Sequence, residues 1–161
     1  MASYLPNLAR DNFSLHAIPL AWFIALSPRF WGVTTYNQLT DGDMDIRHPR
    51  TFTEEVNNDP NPKLDATSQE RIGRAEAAMD NGFGNVPLFA AAICAGNMAR
   101  LEPKWLNGLA FGYLASRVLY NYLYIYNDTK RMARGRAAVF MSGMGMIFAL
   151  FVRAGEKLRR A

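Results

Sequence analysis

The sequence predicts an all-α fold: a four-helix bundle that is integral to a membrane. Three observations predict it. Apolar residues collect in four segments, near positions 15–36, 82–99, 106–126 and 137–152, while polar residues crowd the stretch from 37 to 74. The run from Val139 to Val152 carries no charge at all, whereas a helix of a soluble bundle shows a polar face at helical period. Trp22, Trp31, Tyr36, Trp105, Tyr124 and Tyr126 gather toward the segment ends, as aromatic side chains do at the two membrane interfaces.

The 161 residues suffice for one domain, residues 1–161. The first span runs over about 15–36 and contains Pro28-Arg29. The stretch from Asn37 to Ser68 holds Asp41-Gly42, Asn58-Asp59-Pro60 and Asn61-Pro62, all turn formers, and is expected to be a loop. Asp65 followed by Thr67, Ser68 and Glu70 reads as a helix start, so the second span, about 70–99, begins well before its apolar part. Only Arg100 to Lys104, with Pro103, separate it from the third span, about 105–126. Asn127 to Lys130 lead into the fourth, about 132–153. A spanning helix needs about 20 mostly apolar residues. The fourth meets this by extending upstream through Arg134 and Arg136, whose long side chains snorkel to the interface. Such short turns make consecutive helices antiparallel neighbours.

Four crossings put both termini on one side. The opposite side holds Arg47, Arg50, Lys63, Lys130, Arg131, Arg134 and Arg136, which assigns it to the cytoplasm, while Arg153, Lys157, Arg159 and Arg160 pull the other way. The net charge of +4 does not imply nucleic acid, because the basic residues sit at segment ends and form no stripe interleaved with exposed aromatics. Cys94 is the single cysteine, and with His16 and His48 it builds neither a disulfide framework nor a metal site. The first apolar run follows Asp11-Asn12 without a basic leader, so a cleaved signal peptide is not expected.

Polar residues inside a span are costly and usually functional. On the second helix Arg74, Asn81 and Asn85 fall within about 40° of one another, flanked by Ala77, Ala78 and Gly84. This stripe reads either as tight packing with interhelical hydrogen bonds or as a polar pocket. On the third helix Arg117, Tyr120 and Tyr124 share a face that Tyr113 continues. Arg117 is either half of an ion pair, with Glu76 as partner, or an anchor for an anionic ligand. Phenols beside an arginine can stabilise an oxyanion or act as general acids. Gly143-Met144-Gly145 reads as close packing.

These residues lie in recognisable surroundings. Arg74-Ala-Glu-Ala-Ala-Met-Asp-Asn81-Gly-Phe-Gly-Asn85-Val-Pro87-Leu-Phe89 resembles the second-helix signature of the MAPEG family, membrane-associated proteins in eicosanoid and glutathione metabolism. Arg117-Val-Leu-Tyr120-Asn-Tyr-Leu-Tyr124 resembles that family's third-helix pattern, and His48-Pro-Arg50 resembles the Asn-Pro-Arg of the first loop in its fungal-type members. The resemblance implies a homotrimer in the endoplasmic reticulum membrane, with sites between subunits near the cytosolic face. Many members bind glutathione there and conjugate, reduce or isomerise lipophilic substrates. Asn81 matches the family's glutathione-contacting asparagine, Tyr120 and Tyr124 match its tyrosines, and Arg131 or Arg134 corresponds to the arginine that activates the thiol.

The departures point to a reshaped site. The family's glutamate falls on Gly84, an expected arginine on Ala77, and a position commonly histidine on Met79. Losing the carboxylate and the arginine removes the grip on the charged ends of glutathione. The expectation is therefore an enzyme without a bound cofactor, an isomerase or cyclase of a hydrophobic secondary metabolite. The catalytic residues would be Arg117, Tyr120 and Tyr124, and the substrate-binding residues Arg50, Arg74, Asn81, Asn85, Arg131 and Arg134. A glutathione transferase or peroxidase with altered contacts is the second reading. A non-catalytic scaffold that binds membrane lipid is the third.

Overall fold

The computed structural model describes residues 7–42 and 44–160. Among these the chain forms four long α-helices and one short one, with two 3₁₀ turns (Ser14–His16 and Pro49–Thr51) and no strand: α1 (Ala17–Thr40), α2 (Phe52–Asn58), α3 (Ala66–Met98), α4 (Pro103–Ile125) and α5 (Lys130–Arg159). The four long helices match the four predicted segments. They are offset by a few residues, and α5 runs six residues past the predicted end.

Local chemistry sets the boundaries. Asp65 caps α3 by accepting from the Ser68 amide at 2.9 Å, and Thr129 caps α5 by accepting from the Met132 amide at 3.2 Å. Helix α3 ends in a Schellman turn: Leu101 N–H bonds the Gly96 carbonyl and Arg100 N–H the Asn97 carbonyl, with Arg100 left-handed at φ 51°. Pro103 then opens α4 at a position where its missing N–H costs nothing.

Helices α1 and α3 pack most extensively. The buried stripe of α1 is almost all small (Ala17, Ala21, Ala25, Pro28, Gly32), and in it Gly32 meets Ala75 and Ala25 meets Gly82 of α3. Small residues let membrane helices approach closely. Pro28 leaves the Ile24 carbonyl without its helical donor. The Ser27 hydroxyl at 2.8 Å and the Asn121 amide of α4 at 2.9 Å donate to it instead, so the proline fastens α1 to α4.

Two expectations are corrected. The segment from 37 to 68 is not simply a loop: it contains α2, because Phe52 and Val56, four residues apart, pack with Tyr36, Met44, Leu64 and Ile72. Glu76 does not pair with Arg117. It takes Arg29 of α1 at 2.5 Å, and Arg29 also donates to the Pro49 carbonyl at 2.6 Å, tying α1, α3 and the start of α2 together.

Large apolar side chains of α1 and α5 point outward. Phe23, Phe30, Met141, Phe148 and Val152 are each more than half exposed. The α5 residues Met141, Phe148 and Val152 follow one another at helical spacing, and exposed apolar patches of this kind mark interaction or membrane surfaces. By length and composition alone one described helix, α5, qualifies to cross a membrane, and its apolar stretch lies mostly outside the packed interior. Tyrosines and asparagines such as Asn107, Tyr113, Tyr120 and Asn121 dilute α4, but these turn inward.

Candidate functional site

The polar face of α4 forms a column along its seam with α5. The two helices run antiparallel, so Tyr124 meets Arg136, Tyr120 meets Phe140 and Arg117 meets Gly143. Tyr120 and Tyr124 lie edge to face at 5.4 Å between ring centroids. The Arg136 guanidinium stands 4.3 Å over the Tyr124 ring.

Arg117 is 4 % exposed. It donates to the Phe140 carbonyl at 3.3 Å, and its guanidinium faces the rings of Tyr113, Tyr120 and Phe140 at 5.2, 4.9 and 5.1 Å. No carboxylate among the described residues pairs with it, and its Nε and Nη1 atoms have no acceptor. Three ring faces replace a counter-ion, each a modest attraction that strengthens away from water. Gly143 makes the room: a Cβ there would lie 2.5 Å from Arg117 Nη2. The space beside Arg117, bounded by Ala25, Gly82, Val86 and Asn121, is about 10 Å³, close to what one water needs. No organic ligand reaches Arg117 in this conformation.

The α3 stripe does not face this column, contrary to the expected pocket between α3 and α4. Toward α4, helix α3 presents Gly82 and Val86. Asn81 and Asn85 are half-buried on its flank and donate to the carbonyls of Ala77 and Asn81 at 2.8 and 2.6 Å. Gly84 is exposed, and nothing lies within 4 Å of a Cβ placed on it. Arg74 reaches the far end of α4, donating to the Ile125 carbonyl at 3.0 Å and pairing with Asp128 at 2.9 Å. Asp128 also accepts from Arg71 at 2.8 Å. The Arg71 hydrogen bond chiefly, with the positive charges of Arg71 and Arg74, holds the Asp128 carboxyl below its ordinary value.

Arg50 is exposed in the turn before α2, and Arg131 and Arg134 are exposed on the first turns of α5. None of the three pairs with a carboxylate among the described residues. Arg136 is the residue that sequence reasoning missed, having been read as an interface anchor. Its position seven residues before Gly143 was the available signal, because seven residues return a helix to the same face.

A bundle of long helices with an apolar exterior and a buried arginine ringed by aromatics belongs to the class of integral membrane proteins. Residues 17–155 match the MAPEG family. The chain belongs to that family, which is membrane-integral and includes transferases and isomerases. Membership indicates a membrane function of the glutathione-transferase or eicosanoid type. Neither the curated proteins nor the solved structures contain a match to this chain.

Proposed function

We propose that this protein is a membrane enzyme that isomerises or cyclises a lipophilic secondary metabolite without using glutathione. The observation that carries the proposal is the column Arg117, Tyr120, Tyr124 and Arg136: two phenols held between two guanidinium groups, in a seam with apolar walls. Tyr124 and Arg136 are half-buried, so a substrate oxygen can reach the outer end of the column. Tyr124 would donate the hydrogen bond or proton, and Arg136 over its ring stabilises the phenolate left behind. Preorganised donors of this kind act where charge develops in the transition state. Arg117 serves as a positioning residue, fixing Tyr120 and adding a fixed positive charge from behind. The enzyme works as a trimer in the endoplasmic reticulum membrane, as the family resemblance implies. A neighbouring subunit would cover the half-exposed flank with Asn81, Gly84 and Asn85.

Independence of glutathione is supported by that same flank. Its amides are engaged on their own helix, and Gly84 and Ala77 offer no charge. Each lost charge-assisted hydrogen bond costs about 1.5–3 kcal/mol, so two weaken binding by roughly 10²-fold or more. Calorimetry on detergent-purified protein should show no micromolar glutathione binding, and Gly84→Glu with Ala77→Arg should gain affinity. Micromolar binding by the wild type would instead support the transferase reading, which the unpaired Arg131 and Arg134 favour.

The enzymatic reading is tested in a producing strain. Metabolite profiling of a deletion identifies the substrate that accumulates. Tyr124→Phe and Tyr120→Phe should reproduce that accumulation, with turnover lower by roughly 10²–10³-fold. If both variants assemble normally and make wild-type product levels, the column is structural and the proposal fails.

A further inference from the structure

At the end of the bundle that carries the termini, α4 begins beside the end of α5, and a groove of about 620 Å³ opens between them. Its walls are apolar: Leu101, Trp105 and Val152. Its rim is cationic: Arg153, Lys157 and Arg160. The wall continues onto the outer face of α5, where Phe148 and Val152 are more than half exposed. Apolar wall and charged rim therefore meet at one level, and Trp105 stands at that level with 41 % of its surface open. Tryptophan prefers the boundary between hydrocarbon and headgroups.

The rim has cations to spare. The Arg153 guanidinium lies 3.5 Å over the Trp105 ring. Stacking holds its plane and leaves its N–H groups without an acceptor among the described residues. The Lys157 ammonium donates to the Arg100 carbonyl at 2.6 Å, which satisfies the turn after α3 but supplies no negative charge. Glu156 takes Arg159 and Arg160 at 2.9 and 3.4 Å. Glu102 is the other carboxylate on the groove, and Arg100 and Lys104 flank it in the chain. Charge therefore stays positive at the rim after the local pairs are formed.

We propose that this groove seats an anionic phospholipid, with its phosphate on Arg153 and Lys157 and its first acyl methylenes along Val152 and Leu101. The surplus of unpaired cations selects an anionic lipid over a zwitterionic one. The apolar wall running onto the outside of α5 selects a lipid over a free anion. This site stands apart from the tyrosine column, which lies toward the opposite end of α4.

The test uses full-length protein carrying Trp22→Phe and Trp31→Phe, so that Trp105 is the single tryptophan. It is reconstituted in phosphatidylcholine bilayers. Phosphatidylglycerol with brominated acyl chains should quench Trp105 at a lower mole fraction than brominated phosphatidylcholine does. A basic residue near an anionic surface contributes about fivefold in affinity. Arg153→Gln with Lys157→Gln should therefore reduce the preference by about 25-fold, while Arg47→Gln with Lys63→Gln at the opposite end leaves it unchanged. Equal quenching of wild type by the two lipids overturns the proposal, and that comparison stands even if the double variant does not fold. Restoration of Trp105 emission by excess inorganic phosphate also overturns it, because the site would then hold an anion without needing the lipid.

Discussion

Gly82 lies where α3 comes closest to α1, and its replacement by alanine tests how the bundle is held. Lipid is as apolar as leucine, so membrane helices associate through close packing rather than through the hydrophobic effect. A Cβ on Gly82 would lie 2.8 Å from Ala25 Cβ and 3.0 Å from Ala25 Cα. Neither atom can rotate away, so the helices must move apart along the whole small-residue stripe. Overpacking of this kind costs about 1–3 kcal/mol. Alanine also favours the helix over glycine by about 1 kcal/mol, which leaves a net loss of roughly 0–2 kcal/mol. Gly73 supplies the reference. It lies in the same helix, and nothing stands within 4 Å of a Cβ there. Gly73→Ala should therefore gain the propensity term without the clash, and the two variants should differ by about 1–3 kcal/mol. Unfolding in mixed micelles, driven by increasing dodecyl sulfate and followed by circular dichroism, measures that difference. Ala25→Gly combined with Gly82→Ala should cost less than the sum of the two single variants, since the two sites are in contact and must couple. If Gly82→Ala proves as stable as Gly73→Ala, the close approach of α1 and α3 is wrong.

Two further predictions concern the column and its lower clamp. Gly143→Ala would drive its methyl into Arg117 Nη2 at 2.5 Å and Ser116 Oγ at 2.7 Å, whereas Gly145→Ala enters open space; product formation should fall at least tenfold in the first variant and stay at wild-type level in the second, as metabolite titres would show. Asp128 has a lowered folded-state pKa because Arg71 donates to it, so its stabilising effect is complete above its unfolded value of about 3.9 and is lost as pH falls through the lower folded value. Asp11 and Asp45, each held at about 2 by its neighbouring arginine, titrate in the same range, so the measurement is the difference in acid unfolding between wild type and Asp128→Asn, which should vanish below that window and open above it.

Helix ends and periodicity were legible in the sequence because they depend on neighbours a few residues apart: the Asp65 cap and the short turns on either side of α4, although Pro103, read as part of the turn, opens the helix. The short helix α2 was hidden by its surroundings. Turn-forming asparagines and prolines bracket Phe52 and Val56, and the pair becomes an anchor only where the ends of α1 and α3 supply Tyr36 and Ile72. The partner of Glu76 was illegible for a similar reason. Arg29 is 47 residues away, and no local pattern says which face of α1 rests on α3.

The direction of the α4 column shows where such reasoning runs out. Spacing alone put Arg117, Tyr120 and Tyr124 on one face, but α4 has a short turn at each end, so α3 and α5 were equally available as neighbours. The choice falls to side-chain volume. A guanidinium and two phenols need a partner surface with a gap, and Gly143 of α5 offers one opposite Arg117. Helix α3 offers Gly82 on its inward face, but Ala25 of α1 already fills that gap. The column therefore turns to α5, and Asn81 and Asn85 are left on the outer flank of α3. A half-buried amide pair facing hydrocarbon would be poorly placed, since its remaining polar atoms find no acceptor or donor in lipid. A neighbouring subunit on that flank would relieve this, and it would also bring a second chain's side chains toward Asn81. Whether one chain or two line the site is thus decided by assembly, and a single chain's spacing pattern carries no information about it.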